Sequence, residues 1–469
     1  MPVTLNTDQK AAFKAIQKFL DHPAADVFVL KGYAGTGKTF LMQHIAQWLK
    51  EKERKFCMLA ATGRAATVLR GKTGFSASTV HGELYNFDKI DGLDEETLAE
   101  NSASGMAGQM TMQFSTRSAD AETTIYIVDE ASMLSGTLTD GNGFAVFGSG
   151  ILLQDFFQVA NKSKIIFVGD PCQLPPVGQS FSPALDTDWL AKNQRFPVSV
   201  KLSKIERNKD DNDILVLAGA IRTMSESRER IKFPKIPASN LNNVKLHPTD
   251  DVMFNLYAAN YKAAGPNSCL AIARSNKKVQ MINRDMRREL FGSGYVPLQV
   301  GDVLLVTQNN YSVPLTNGDF VIVNELEKTE QKLGMKFQKV LVTALASGKE
   351  FKMLLSLDAL ESLKGNLTND QSKVLIIDFN DQMKAKGISQ KSEQYREAMR
   401  EDPYLNCLKV SYGYAVTCHK AQGGEWNNVY LFLDKSMYGS PYYELCKWWY
   451  TAVTRAKDEL NLVNDWWVA

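Results

Sequence analysis

The sequence predicts an α/β fold of parallel strands, and three features lead to this prediction. First, a short apolar run at 26–30 passes through a glycine-rich turn into a helical pattern at 40–49. Second, two further apolar runs, at 125–128 and 165–168, are each followed by a carboxylate or a glycine. Third, the second half repeats such a run at 269–273 before another helical pattern. Strands that alternate with helices are typical of parallel sheets covered on both faces.

The composition is that of an ordinary globular protein that is too long for a single hydrophobic core. Of 469 residues, 44% are hydrophobic and 23% are charged, and the net charge is +2. Any surface for a polyanion must therefore come from local basic patches. No stretch of about 18 apolar residues is present to span a membrane. The six cysteines form no C-x-x-C pair, which favours free thiols in a reducing cytoplasm over a zinc site.

Residues 32–39 are the stretch around which the chain is organised, because they match the P-loop pattern. Such a turn directs backbone N–H groups and the positive end of a helix dipole toward a phosphate. Lys38 would reach the β- and γ-phosphates, and Thr39 would hold Mg²⁺. The other cradle residues are Gly35, Thr36 and Gly37. The pattern predicts a nucleoside triphosphate as the ligand and leaves the reaction open.

An amphipathic helix is predicted before the P-loop, with Thr7 as its N-cap. Gln9 lies just before the apolar stripe of this helix. A Gln amide offers a donor and an acceptor together, which suits the edges of adenine. Alone, Gln9 would be a solvated helix residue, but its position ahead of a P-loop favours the adenine contact.

Two later helix starts combine small hydroxyl and basic residues, a pattern that suits a sugar-phosphate backbone. The first contains Thr62 and Arg64, and the second contains Thr79 and His81. For His81 alone, a structural role is the better interpretation.

The run at 125–128 is followed by adjacent carboxylates, Asp129 and Glu130, as in a Walker B element. Asp129 would complete the Mg²⁺ sphere, and Glu130 would polarise the attacking water. Gln173 follows the strand at 165–168 and is placed where a γ-phosphate sensor would lie. The Gly- and Thr-rich stretch 134–150 is predicted to be a mobile loop.

The segments between these motifs read as insertions. Residues 85–124 are acidic and contain one strand-like run with a single aromatic residue, Phe114, so a hairpin is predicted, with a disordered loop as the alternative. Residues 300–323 alternate like short strands and predict a small β-barrel, and 357–403 predict a helical excursion from it. The basic helix at 274–288 is either a solvated face or a surface that contacts a nucleic-acid backbone.

The stretch 412–426 gathers hydroxyl, imidazole, ammonium and amide groups around glycines. With it, the chain resembles a superfamily 1 DNA helicase of the RecD/Dda-like branch, which includes the Pif-type helicases. The motifs that carry the resemblance occur in the family's order across nearly the whole chain. They are Gln9, 32–39, 62–66, 78–81, 129–133, 169–177, Arg207, 417–423 and 453–456.

The resemblance implies an α/β fold with two RecA-like P-loop domains that face each other across ATP, a small insertion in the first domain and an SH3-like β-barrel insertion in the second. The implied limits are 1–84 and 125–200 for the first domain, 85–124 for a strand-separating pin, 201–298 and 404–469 for the second domain, and 299–403 for the SH3-like insertion with its helical excursion.

The resemblance also implies residue roles. Arg207 and Arg455 would reach the ATP from the second domain, and Glu425 would hold the ribose. The expected DNA contacts are Thr62, Arg64, Thr79, His81, Asn276, Thr417, His419 and Lys420. Phe114, or a neighbour on its hairpin, is expected to abut the first base pair at a fork.

The function expected from the sequence is that of an ATP- and Mg²⁺-dependent DNA helicase that moves 5′ to 3′ on single-stranded DNA. Its partners would be single-stranded DNA, single/double-strand junctions and a single-strand-binding protein, without membrane contact, and a cytoplasmic monomer is expected. The alternative is a nucleic-acid-dependent ATPase that remodels RNA or protein–DNA complexes. A P-loop kinase would not need the 417–423 motif, and a passive binding module would not need Glu130 or Arg455.

Overall fold

A computed structural model of the chain describes residues 4–91, 111–138, 145–205, 212–227, 234–294, 296–310 and 312–469. The helices are α1 (Thr7–Asp21), α2 (Lys38–Glu51), α3 (Gly63–Thr73), α4 (Val80–Leu84), α5 (Leu152–Ala160), α6 (Thr187–Lys192), α7 (Asp213–Glu226), α8 (Asp250–Ala264), α9 (Asn276–Phe291), α10 (Leu357–Glu361), α11 (Asn369–Ala385), α12 (Glu393–Glu401), α13 (Cys418–Ala421) and α14 (Tyr442–Val453). The strands are β1 (Val27–Gly32), β2 (Phe56–Ala60), β3 (Ala77–Thr79), β4 (Tyr85–Asp91), β5 (Thr111–Thr116), β6 (Ile125–Asp129), β7 (Ala145–Phe147), β8 (Lys164–Gly169), β9 (Pro197–Leu202), β10 (Val244–His247), β11 (Cys269–Ala273), β12 (Val303–Val306), β13 (Phe320–Lys332), β14 (Met335–Ala344), β15 (Glu350–Ser356), β16 (Val410–Tyr412), β17 (Ala415–Thr417), β18 (Trp426–Phe432) and β19 (Ala456–Val463).

The first lobe is built on a six-stranded sheet in the order β3-β2-β6-β8-β1-β9. Its pairings are all parallel, so the carboxyl ends of the strands meet at one edge. The register places Ala60 opposite Asp129 and Lys31 opposite Gly169. The P-loop, the adjacent carboxylates and the turn after β8 therefore leave the sheet at the same edge.

The second lobe is built on a five-stranded sheet in the order β10-β19-β18-β11-β17, and it too is parallel throughout. The apolar run at 269–273 forms strand β11 of this sheet. Its apolar core is continuous with three first-lobe residues, Tyr33, Cys172 and Leu174. The two lobes thus pack directly against each other, and the predicted α/β class is confirmed.

An antiparallel sheet interrupts the second lobe, in the order β15-β14-β13-β12-β16. We call it the antiparallel insert. Its apolar face is buried and includes Leu304, Val321 and Val342. Helices α11 and α12 extend from it, as the charged, helical character of 357–403 predicts.

A small sheet of β4, β5 and β7 projects from the first lobe, and we call it the hairpin sheet. Strands β4 and β5 pair antiparallel, as the predicted hairpin requires, and β7 pairs with β5 in parallel. The prediction of a loop throughout 134–150 was therefore incorrect at 145–147. Phe87 and Met112 of this sheet pack against the apolar side of α11 and α12, which includes Phe379 and Tyr395.

The first helix begins one residue earlier than its sequence suggests. Asn6, not Thr7, is the N-cap of α1, and its side chain accepts a hydrogen bond from the backbone N–H of Gln9. The Gln9 side chain in turn accepts from the N–H of Asn6 at 3.0 Å, which completes a capping box. Among the described residues, no helix is long and apolar enough to cross a membrane.

Candidate nucleotide site and nucleic-acid interface

The P-loop forms the connection from β1 to α2, so the first turn of α2 presents backbone N–H groups that have no partner within the helix. Gly37, the N-cap, has a φ of 76°, and a Cβ there would meet the Gln9 amide nitrogen at 2.4 Å. Only glycine fits this position. The Lys38 ammonium donates to the carbonyls of Gly32 at 2.8 Å and Tyr33 at 3.1 Å. The lysine therefore lies over the loop, where it would meet a phosphate.

Gln9 lies directly behind the P-loop and is bonded to it. Its side chain is only 2% exposed, and its amide nitrogen donates to the carbonyl of Thr36 at 3.2 Å. Its amide oxygen is engaged in the capping box with Asn6. Gln9 therefore connects α1 to the P-loop, and its contact with adenine stays a prediction, because the amide keeps a second N–H and a second lone pair.

The adjacent carboxylates lie at the end of β6, beside the P-loop. Burial raises the pKa of Asp129 to about 7, and the charge of Glu130 adds to this shift, while Lys38 and Lys72 oppose it. Glu130 has a φ of 50°, a left-handed conformation that is strained for a residue with a side chain. Two adjacent, half-buried carboxylates favour a cation between them and the nucleotide phosphates.

Several buried side-chain oxygens at this edge lack a hydrogen-bond partner within the described part of the chain. They are Glu130 Oε2, Ser132 Oγ, Gln173 Oε1 and Gln422 Oε1. Buried oxygens without a partner are rare in native proteins and indicate an unfilled ligand, ion or water site. The Thr39 hydroxyl and the Asp129 carboxylate are oxygen ligands of the kind that Mg²⁺ prefers, and a Mg²⁺ ion held by them stays a prediction.

Arg455 lies in the second lobe, just after α14, and is 4% exposed. Its guanidinium donates to the carbonyls of Thr451 and Gly424, each at 3.0 Å. Thr451 also accepts a hydrogen bond from the N–H of Leu174, in the loop that follows Gln173. Arg455 is therefore fixed close to the lobe boundary, and its role toward ATP stays a prediction. Arg207 lies outside the described residues.

Arg64, which is predicted to contact a DNA phosphate, lies between the two lobes. Its guanidinium lies 4.2 Å from the ring centre of Trp426 in the second lobe and 4.8 Å from that of Phe320 in the antiparallel insert. Burial lowers its pKa to about 10, with Asp319 opposing the shift and Arg455 adding to it. We call this place the arginine slot. Arg64 connects the two lobes here through its contacts with these rings, and its contact with DNA stays a prediction.

A close backbone approach supports the arginine slot. Gly63, the residue before Arg64, lies so close to Thr316 of the insert that a Cβ would meet the threonine hydroxyl at 1.5 Å. On the same helix, Lys72 forms an ion pair with Glu425 at 3.5 Å. Glu425 was expected to hold the ribose; here it faces the first lobe, and the ribose role stays a prediction.

Replacing Arg64 with lysine should lower stability and leave DNA affinity nearly unchanged. Lysine keeps the charge but loses the flat stack on two rings, and a desolvated cation–π contact contributes about 2 kcal/mol. Thermal unfolding and single-stranded DNA titration at several salt concentrations would measure the two effects. Arg70→Lys, on the exposed side of α3, is the matched control. Weaker DNA binding at every salt concentration in the Arg64 variant alone would indicate a phosphate contact that needs the guanidinium geometry.

The remaining predicted DNA contacts fall into two groups. In the first lobe, the Thr62 and Thr79 hydroxyls act as N-caps for α3 and α4, and His81 packs against Tyr85 and Phe147 with a pKa lowered by burial. In the second lobe, the register of β11 with β17 brings two helix starts together. They contain Asn276, Thr417, His419 and Lys420. Burial lowers the pKa of both His419 and Lys420.

Phe114 is not placed as a wedge residue would be. It is 3% exposed and stacks on Phe147, with ring centres 4.6 Å apart. Its ring holds the hairpin sheet together, so an exposed neighbour would have to meet a base pair.

Sequence reasoning also missed Tyr33, Trp426 and Tyr450, which all lie at the lobe boundary. The only available signal was their position inside or beside the motifs at 32–39, 417–423 and 453–456.

Comparisons with known proteins agree with this architecture. A family model described as an AAA domain matches residues 4–233, and one described as a UvrD-like helicase C-terminal domain matches residues 412–463. An uncharacterized protein of Acanthamoeba polyphaga mimivirus is 22% identical over 98% of this chain and 100% of its own length. The ATP-dependent RecD2 DNA helicase of Deinococcus radiodurans is 23% identical over 92% of this chain, which spans 46% of that protein.

The fold is shared with solved structures. The crystal structure of a Pif1 helicase from Bacteroides, in complex with ADP-AlF3 and single-stranded DNA, aligns with a TM-score of 0.50 at 15% identity. The alignment covers 100% of this chain and 95% of that chain. The two parallel sheets therefore resemble the RecA-like domains of Pif1 helicases. Together, the two family models, the RecD2 and Pif1 similarities and the shared fold support a superfamily 1 helicase of the RecD/Pif-like branch, that is, an ATP-dependent DNA helicase.

Proposed function

We propose that this chain hydrolyses Mg-ATP between its two lobes in order to move 5′ to 3′ along single-stranded DNA and to separate duplex DNA. The observation that carries the proposal is the gathering of Lys38, Asp129, Glu130 and Gln173 at one sheet edge, facing the helix that leads to Arg455. Phosphoryl transfer needs this combination of a phosphate cradle, a base for water and a cation from the opposite side.

In this proposal, each polar side chain has a separate task. Lys38 and the N–H groups at the start of α2 hold the phosphates, and Glu130 orients the attacking water and accepts its proton. Mg²⁺, when held by Thr39 and Asp129, would neutralise phosphate charge. Gln173 reports whether the γ-phosphate is present, and Arg455 stabilises the charge that develops as it departs.

The movement follows from lobes that close on ATP and open after hydrolysis. Hydroxyl and amide groups of the first lobe, with Asn276, Thr417 and His419 of the second, would grip the strand in turn. Opening one base-pair step costs about 1.4 kcal/mol, and stacking one base on an aromatic ring contributes about 1–3 kcal/mol. A motor with a moderate grip and a rigid wedge is therefore sufficient for strand separation.

The proposal extends to the domain limits given by the sequence motifs and to an SH3-like character of the antiparallel insert. It also includes action as a monomer and contact with a single-strand-binding protein. The alternative, a translocating ATPase that remodels RNA or protein–DNA complexes, would use the same residues, so only the substrate distinguishes the two.

ATP hydrolysis measured with and without single-stranded DNA or RNA tests the proposal. We expect strong stimulation by DNA and unwinding of duplexes that carry a 5′ single-stranded tail, with little unwinding of those that carry a 3′ tail. Lys38→Ala, which removes the phosphate-binding ammonium, provides the inactive control. Stimulation by RNA alone, or stimulation by DNA without strand separation, would favour the alternative.

Replacing Phe114 with alanine should separate unwinding from translocation. The change removes a buried ring from the hairpin sheet, and such losses cost about 3–5 kcal/mol, so the hairpin should lose its rigidity. Fork unwinding should fall sharply, while DNA-stimulated ATP hydrolysis should stay near normal, because the motor residues lie elsewhere. An equal fall in both activities would show that the hairpin sheet belongs to the motor.

A further inference from the structure

The first bend of the P-loop is held by side chains of the second lobe. Tyr33 is buried, and its hydroxyl donates to Glu226 of α7 at 3.1 Å. The Arg222 guanidinium, also on α7, lies 4.1 Å from the centre of the Tyr33 ring. The conformation of this bend therefore depends on where the second lobe lies.

The next P-loop residue, Ala34, has a more specific partner. Its backbone N–H donates to the hydroxyl of Tyr450 at 3.0 Å, and that hydroxyl donates to Asp170 Oδ2 at 2.7 Å. Tyr450 belongs to α14 of the second lobe and is 2% exposed. Burial raises its pKa far above the ordinary value, so the proton stays on the oxygen. One hydroxyl from the second lobe thus joins two first-lobe motifs.

The same helix connects this hydroxyl to the loop that follows β8 and to Arg455. Asp170 also accepts from the N–H of Cys172 at 2.9 Å, which shapes the turn that carries Gln173. The neighbour of Tyr450, Thr451, accepts from the N–H of Leu174 through its hydroxyl and from Arg455 Nε through its carbonyl. A single helical turn therefore contacts the P-loop, the loop after β8 and the arginine.

We infer that Tyr450 is a positioning residue whose hydroxyl sets the P-loop, the Gln173 turn and Arg455 in register when the lobes close. The inference rests on the proposed function and adds to it a physical link between lobe closure and hydrolysis. P-loop N–H groups ordinarily face phosphate, whereas here the N–H of Ala34 is bound by the opposite lobe. A displaced lobe would release that N–H and let the bend relax, so hydrolysis becomes efficient only in the closed arrangement.

Tyr450→Phe tests the inference, because it removes the hydroxyl and keeps the ring. A misplacement of about 1 Å in a catalytic group can cost about 10²-fold in rate, and for the loss of one link we expect DNA-stimulated kcat to fall about tenfold. The KM for ATP should change little, since the phosphate-binding groups remain. Tyr443→Phe, on the more exposed part of the same helix, is the matched control and should behave as wild type.

A double variant with Asp170→Asn provides a second measurement. If the hydroxyl acts through Asp170, the two substitutions should not be additive in kcat. Additive effects, wild-type kcat in Tyr450→Phe, or a loss of folding without a kinetic defect in the folded fraction would each overturn the inference. Wild-type protein whose ATP hydrolysis ignores DNA would instead contradict the proposed function, whatever the Tyr450 variant does.

Discussion

Replacing Arg455 with alanine should lower DNA-stimulated ATP hydrolysis by about 10³–10⁵-fold, the range found for arginines that stabilise a phosphoryl-transfer transition state. The side chain is bonded to the carbonyls of Thr451 and Gly424, and in the proposed mechanism it turns from them to a γ-phosphate between the lobes. ATP affinity should fall much less than turnover, because the P-loop and Lys38 remain. Steady-state kinetics combined with nucleotide binding would measure both quantities.

Stability must be measured beside the kinetics of this variant. Removing the buried guanidinium takes a donor from the Gly424 carbonyl, a loss of about 1–3 kcal/mol, whereas the Thr451 carbonyl keeps its bond from the Thr454 hydroxyl. Arg70→Ala, an exposed substitution in the first lobe, controls for the general effect of losing an arginine. A lower melting temperature with normal turnover would mean that Arg455 stabilises the C-terminal end of α14 and does not take part in hydrolysis.

Replacing Glu130 with glutamine should slow ATP hydrolysis by about 10²–10⁴-fold, the usual contribution of a general base. The amide keeps the shape of the side chain but cannot take a proton from water. Nucleotide binding should persist, and single-turnover experiments would separate binding from chemistry. Glu122→Gln, a surface carboxylate paired with Lys55, is the control.

The same substitution should change how the enzyme responds to magnesium and pH. The charge of Glu130 contributes to the raised pKa of Asp129, which is about 7. Removing that charge lowers the pKa, so Asp129 should stay ionised to lower pH, and the pH below which Mg²⁺ binding weakens should shift downward. Magnesium titrations at several pH values would show this. Loss of nucleotide binding in the variant would instead assign Glu130 a structural task.

The sequence predicted well which motifs meet at the carboxyl edge of the first-lobe sheet, because each strand there is marked by residues next to it in the chain. The strand before the P-loop and the strand ending in Asp129 could be recognised from apolar runs that stop at glycines or carboxylates. Parallel pairing then brings the ends of such strands together without further information. The candidate catalytic side chains on the first lobe are therefore close together, as the motifs indicate.

Other features were hidden because they depend on residues distant in the chain. The arginine slot needs Phe320 and Trp426, which lie far from Arg64 in sequence. The sequence therefore shows only a basic residue at a helix start, from which a phosphate contact is predicted, and does not reveal the two rings. Gln9 is predicted from the sequence to contact adenine. Its bonds to Asn6 and Thr36 could not be predicted, because they form only in the folded chain. Strand β7 shows no hydrophobic periodicity in its sequence, and it forms by pairing with β5.

The strand order of the second lobe has a consequence for biosynthesis. Strands β10 and β11 do not pair with each other; their neighbours are β19, β18 and β17, all of which follow the antiparallel insert. As the chain leaves the ribosome, the first lobe can complete its sheet at Leu202, whereas two strands of the second must wait for residues beyond 414. Such long-range closure is slow and leaves apolar edges exposed. Newly made chains should therefore be most prone to aggregation, and most dependent on chaperones, during the synthesis of the insert.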